Sequence, residues 1–256
     1  MISNDENVAM VIEAWKLMTS RFEGSDFQHG SGVASTFANL PLPFLNISFQ
    51  ETPAAGEADL RSTLSQMRQR ATACPHHSLI GLCDEWVPER WQAIAEEEGF
   101  AFMINMTGMA ANELLPIRRP LPQLEFRRVL DDAIARDLAI INTHAYGMPT
   151  DLWECMYNMQ LWHQDSYGYV AYIDGKAVST ASALPVDGTM YIALVATLPE
   201  MHGNGYAEAV MRHAIEQGQA GMGKRRIVLH ASDMGHPLYR SMGFTAGSKI
   251  PLFSAA

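Results

Sequence analysis

Apolar positions along this chain recur in two rhythms. Spacing of three and four residues predicts helices over Glu6–Phe22, Ala58–Ala73, Pro88–Glu98, Asp131–Thr143, Asp151–Gln160, Gly205–Gln219 and Pro237–Met242. Short apolar or alternating runs predict strands over Phe44–Phe49, His77–Asp84, Ala101–Met106, Glu125–Val129, Met190–Ala196 and Arg226–Ala231. Gly168–Ile173 and Lys176–Leu184 read as a hairpin turning at Asp174-Gly175, and Asp187-Gly188 turns the chain into the next strand. Strand and helix signals alternate throughout, which predicts a mixed α/β architecture. One seam interrupts them: Leu114–Glu125 carries Pro116, Pro120 and Pro122, which suit neither helix nor sheet pairing. On both sides of it a predicted helix ends in a Gly-Phe pair, Gly99-Phe100 and Gly243-Phe244, as a divergent tandem repeat would show.

Composition narrows the class. With 48% hydrophobic and 18% charged residues over 256 positions, the chain can bury a core and is not a disordered one. Its apolar runs are too short and broken for a membrane span. The segment Met1–Asn7 is polar and acidic, unlike a signal peptide. Cys74, Cys83 and Cys155 are too few and scattered for a disulfide framework or a zinc site, so the expectation is a cytoplasmic protein with free thiols and no bound metal. A net charge of −10 lacks the positive field that draws nucleic acid, and is compatible with a cationic or amine-bearing substrate.

The segment Met190–Ala207, MYIALVATLPEMHGNGYA, carries the most chemistry. An apolar strand meets a proline, then a glycine-containing turn, then a helix. Glycines let backbone approach a ligand closely, and the free N–H groups of a helix's first turn attract phosphate. A Gly-x-Gly turn alone is more often plain structure than a binding site. A P-loop lysine is missing, and so is the third glycine of a dinucleotide fold.

This stretch resembles the acetyl-CoA-binding motif of the GCN5-related N-acetyltransferase (GNAT) family, in which Arg or Gln is followed after two residues by Gly, one residue, then Gly or Ala. Here His202, Gly205 and Ala207 hold those positions, after Val195-Ala196-Thr197-Leu198-Pro199. A second signature follows in the expected order: Ser232, Gly235 and Tyr239, leading into Met242-Gly243-Phe244. His202 replaces the usual Arg or Gln, and Ser232 stands where Asn is common. The resemblance covers roughly Leu124–Phe253. Leu79–Asn112, with Trp86, Gly99-Phe100 and Met109-Ala-Ala-Asn-Glu-Leu, resembles the degenerate first repeat of tandem members. It implies two GNAT-like domains, each a mostly antiparallel sheet flanked by helices: a degenerate one over 1–118 and an acetyl-CoA-binding one over 119–256.

The resemblance further implies transfer of an acetyl group from acetyl-CoA to an amine of a small molecule or peptide, by direct attack and without metal. Val195, Ala196 and Thr197 would hold the pantetheine arm, with an amide near Val195 or Ala196 polarising the thioester carbonyl. His202, Gly203, Asn204, Gly205, Tyr206 and Ala207 would cradle the pyrophosphate, with Ser232 at the second signature. Tyr239 would protonate the departing thiolate; its alternative is a ring packed under the final strand. No carboxylate lies on Met190–Ala196, and Glu154, His163, Asp165 or a water relay remain open as base. Trp153–Trp162 reads as a core helix or an acceptor-pocket wall. The Cys74-Pro75-His76-His77 cluster reads as a loop, and Lys224-Arg225-Arg226 as a complement to a helix C-terminus. An alternative function is a non-catalytic acyl-CoA-binding regulatory module. A third reading makes the first half a scaffold for a homodimer.

Overall fold

A computed structural model describes residues 2–255; Met1 and Ala256, the outer bounds of the two expected domains, lie outside them. The chain divides into two compact units. The first comprises the chain up to Met109, His230–Pro237 and the chain from Thr245 onward; the second comprises Ala110–Leu229 and Leu238–Phe244.

The first unit contains helices α1 (Asn4–Thr19), α2 (Glu57–Ala73) and α3 (Trp91–Glu97) and strands β1 (Asp26–Gly30), β2 (Val33–Phe37), β3 (Asn46–Gln50), β4 (Leu79–Gly81) and β5 (Phe100–Ala111). Its sheet order is β1-β2-β3-β4, then β11 (Thr245–Ala255), then β5. Pairing is antiparallel for β1/β2/β3, parallel for β3/β4 and antiparallel for β4/β11. Leu60, Leu64 and Met67 of α2 recur at helical spacing and are fully buried against Val33, Ile80, Phe100 and Phe253.

The second unit contains β6 (Glu125–Arg128), α4 (Asp132–Tyr146), α5 (Thr150–Trp153), β7 (Tyr167–Ile173), β8 (Lys176–Val186), β9 (Thr189–Thr197), α6 (Tyr206–Met222), the start of β10 (Ile227–Ala231) and most of α7 (His236–Ser241). Its strands run in the order β10-β9-β8-β7-β6, antiparallel except for the parallel pair β9/β10. The succession of three antiparallel strands, helix, parallel strand and short helix therefore occurs twice, in β1–α3 and again in β7–α7. The α4 helix starts at Asp131, whose side chain accepts the Ile134 N–H at 2.9 Å, and ends at Gly147. It packs on β8 and β9 through the Asn142–Thr180 hydrogen bond, whereas Gly218 of α6 lies against Ala183 and Met190. Thr180 and Ala183 are three apart in one strand, so the two helices cover opposite faces of the sheet.

Most predicted elements recur within a few residues, with three corrections. The β1–β2 hairpin about Gly30-Ser31-Gly32 was not predicted: β1 is exposed and β2 buried along its whole length, so neither alternates. Strand β11 was also not predicted, because Pro251 in its middle argues against sheet. The helix expected over Asp151–Gln160 is a single turn of α5 and a 3-10 turn, then irregular chain. Asn158 competes with the helix there, donating to the Cys155 carbonyl and accepting the Gln160 N–H. No helix among the described residues is long and apolar enough to cross a membrane.

Candidate functional site

Parallel pairing of β9 with β10 runs through Met190–Ile227, Tyr191–Val228 and Ile192–Leu229, and β9 then continues to Thr197 alongside β8. At this point β9 bulges. Ala193 faces Ser182 and Ala196 faces Thr180, so Leu194 and Val195 together oppose Ala181. Leu194 has a φ of 53°, rare for a branched residue. Val195 and its neighbours Ala193 and Leu194 are half-buried, while Ala196 and Thr197 are buried. Two adjacent hydroxyls of β8 grip the far side of the bulge. Thr180 Oγ1 donates to the Leu194 carbonyl at 2.7 Å, and Ser179 Oγ donates to the Ala196 carbonyl at 2.8 Å.

After β9 the chain makes a 3-10 turn at Pro199–Met201 and enters α6 through His202–Gly205. Gly203 and Gly205 adopt φ of +80° and +78°, which a side chain would strain. The space beside them is open: a Cβ on Gly203 would meet nothing within 4 Å, and one on Gly205 only Pro122 at 3.5 Å. His202, Gly203, Asn204 and Gly205 are exposed, Ala207 is half-buried, and Tyr206 turns into the core. No side chain caps α6. Its first-turn acid, Glu208, is drawn along the helix by Arg212 at 2.8 Å. The helix start thus presents uncapped amides and the positive end of its dipole to an open surface, which fits a pyrophosphate.

Two expected side chains have more defined settings than the sequence suggested. His202 folds back, with Nε2 3.0 Å from the Thr197 carbonyl. A carbonyl only accepts, so Nε2 carries a proton and spends it on Thr197. The imidazole therefore staples the turn to the end of β9, and phosphate holding falls on backbone amides. Tyr239 on α7 is buried, its ring edge-on to Phe244 at 6.0 Å. Burial raises its phenol above the ordinary tyrosine value, helped by Tyr146. Tyr191 of β9 interacts with both, and burial raises its phenol well above the ordinary tyrosine value. Tyr146 stacks in parallel on Trp153 at 6.2 Å. A phenol held neutral can deliver a proton and not a charge.

Ser232 belongs to the first unit, where its Oγ accepts the Gly235 N–H at 3.3 Å and its carbonyl the His236 N–H at 3.0 Å. Glu154, His163 and Asp165 are all exposed. Arg225 donates to the Met222 carbonyl in the last turn of α6, and Lys224 pairs with Glu113. Among the described residues no group of three His, Cys, Asp or Glu could hold a metal. The sequence reading missed Asn142, Thr180 and Tyr191. Its available signal was the adjacent Ser179-Thr180 pair inside a strand that is mostly apolar, since buried hydroxyls need partners.

Comparison with known proteins agrees with this geometry. Residues 137–244 match the family model described as acetyltransferase (GNAT) family. No curated protein matches the sequence. Among solved structures the chain is similar to a GCN5-related N-acetyltransferase from Kribbella flavida, with TM-score 0.69, 18% identity, and 97% of this chain and 95% of that one covered. It is also similar to a GNAT-family acetyltransferase structure from Novosphingobium aromaticivorans, with TM-score 0.56, 16% identity, and coverage of 98% and 99%. A tandem GNAT protein from the clavulanic acid biosynthesis pathway aligns with TM-score 0.51, 11% identity, and coverage of 98% and 96%. The family match lies on the segment that holds the bulged strand, the glycine turn and Tyr239, so that it is this part of the chain, residues 137–244, that is similar to the GNAT acetyltransferase family.

Proposed function

We propose that this protein transfers an acetyl group from acetyl-CoA to an amine of a small molecule or peptide. The observation that carries the reading is the start of α6: uncapped, glycine-bearing and open, immediately after a strand that bulges and leaves its parallel neighbour. Backbone amides of Gly203 to Ala207 take the pyrophosphate, and Val195 to Thr197 take the pantetheine arm as an added strand would. The bulge amide near Val195 polarises the thioester carbonyl. The amine attacks that carbon directly; the C–N bond forms, the C–S bond breaks, and Tyr239 gives its phenolic proton to the departing sulfur. The amine's proton passes through water back to the Tyr239 oxygen, which restores the phenol and needs no further named base. We further propose a cytoplasmic setting, in keeping with the free thiols of Cys74 and Cys83.

The test is calorimetric titration with acetyl-CoA, followed by thiol release across an amine panel. Binding with amine-dependent release is the expected result, and absence of binding overturns the proposal. Tyr239→Phe should lower kcat by about 10²- to 10⁴-fold, the range of general acid–base catalysis, with acetyl-CoA affinity nearly unchanged. Binding with no release from any amine would favour an acyl-CoA-sensing module instead.

A further inference from the structure

The Leu194 backbone is held at a φ of 53°, strained for a residue with a Cβ, and such a residue persists only where its surroundings enforce it. The enforcement is visible. Asn142 on α4, with no exposed surface, donates through Nδ2 to the Leu138 carbonyl at 2.9 Å and to Thr180 Oγ1 at 3.1 Å. The Leu138 carbonyl can only accept, which fixes the orientation of the amide. Thr180 Oγ1 is then an acceptor toward Asn142, and its single proton is committed to the Leu194 carbonyl at 2.7 Å. A one-way chain therefore runs from helix α4 through Thr180 to the carbonyl of the strained residue. The peptide plane that carries this carbonyl also carries the N–H of Val195, and the two point in opposite directions. Pulling the carbonyl into the sheet turns that N–H outward, on the stretch of β9 that β10 no longer pairs.

We propose that Asn142 and Thr180 are positioning residues that aim the Val195 N–H at the acyl carbonyl of the donor thioester. The inference rests on the acyl-CoA reading above. Neither residue touches substrate; both act through the Leu194–Val195 peptide. A hydroxyl is required at position 180, and the methyl of threonine is not.

The experiment reads the carbonyl itself and needs no acceptor. Acetyl-CoA labelled with carbon-13 at the carbonyl is bound to the full chain, and its resonance and infrared stretch are compared with those of the free thioester. In the unaltered protein both should shift in the direction of a more polarised carbonyl. Thr180→Val should return them most of the way to the free values and lower kcat for thiol release by about 10- to 100-fold, the scale of a misaimed or lost oxyanion donor. Acetyl-CoA affinity should stay within about threefold, because the pyrophosphate cradle is untouched. Thr180→Ser should retain the shift. Asn142→Leu should lose part of it, and decides the matter if Thr180→Val does not fold. A carbonyl equally polarised in the variant and the unaltered protein overturns the positioning role while leaving the acyl-CoA reading intact. Failure of the unaltered protein to bind acetyl-CoA overturns the reading and the inference with it.

Discussion

Lowering the pH from 7 to 5 should destabilise the first unit through one imidazole. His230 donates its Nε2–H to Asn7 Oδ1 at 2.9 Å, and Asn7, without exposed surface, donates to the Ser248 carbonyl and Oγ at 2.9 and 2.8 Å. Burial pushes the His230 pKa down to about 3, outweighing the Asn7 hydrogen bond that favours the charged ring. The folded value is depressed below the unfolded one, so the stability it contributes is complete above about pH 6.5 and is lost as pH falls toward the folded value. Integrated between pH 7 and 5, one such histidine costs about 2 kcal/mol. The residue retains some accessible surface, and solvent screening makes this an upper figure. Urea midpoints at half-unit pH steps would measure it. His213, stacked on Phe126 at 4.3 Å and likewise lowered by burial, belongs to the second unit and should weaken that unit, not the first, over the same pH range. The difference between the unaltered protein and His230→Gln isolates the His230 share. The reasoning fails if the His230 ring titrates near 6.5 by NMR, or if both proteins lose stability with the same slope.

Three further outcomes are expected. Gly108→Ala would place a Cβ 1.7 Å from Asn7 Oδ1 and 2.4 Å from Asn7 Cγ, and should cost about 1–3 kcal/mol in a urea melt. Burial raises the phenols of Tyr172, Tyr191 and Tyr239, so their stability contribution is complete below about pH 10 and is lost as pH climbs beyond it. Absorbance near 295 nm should then show these tyrosines ionising only as circular dichroism reports unfolding; ionisation near pH 10 with the fold intact refutes this. Gly205→Asp should weaken acetyl-CoA binding at least about tenfold by calorimetry, because a carboxylate there caps the amides a phosphate needs. Its left-handed backbone should cost about 1–2 kcal/mol, seen as a modest fall in Tm.

The legible parts of the sequence were those where local chemistry and tertiary role agree. The β7–β8 hairpin was marked by Asp174-Gly175, and the β9-to-α6 passage by Pro199 and its glycines. Both turns occur where predicted, and Asp174 and Gly175 both have positive φ. What escaped was set by contacts distant in sequence. Strand β11 pairs with β4 through Leu252–Gly81 and Phe253–Ile80, an arrangement that outweighs Pro251 and that no local window contains. The role of Asn142 is of the same kind. A polar residue in a helix interior reads as a weak helix former, and its worth depends on Thr180 and Leu194, which lie on two later strands. The side-chain setting of His202 was equally hidden: spacing locates the residue, but only the fold reveals that Thr197 already claims its proton.

The two units carry the same strand-helix passage, β3 into α2 and β9 into α6, and the chemistry at the two helix starts is opposite. Each begins at a glycine with no side-chain cap. At α2, Asp59 reaches back and accepts the Ala55 N–H at 2.9 Å, and Glu57 adds a second carboxylate in the same turn, 3.6 Å from Arg90. The place where a phosphate would gain from the helix dipole is thus already satisfied by the chain's own negative charge, and an incoming pyrophosphate would meet repulsion. At α6 the one first-turn acid is held away by Arg212, which also donates to the Leu115 carbonyl, leaving the amides free. This contrast supports a division of labour in which the second unit takes acyl-CoA and the first does not. Gly205→Asp transplants the α2 condition onto α6. If it abolishes binding while the fold survives, a carboxylate at the helix start is enough to exclude acyl-CoA, as the contrast with α2 predicts; if binding persists, the contrast between the two helix starts carries no such division.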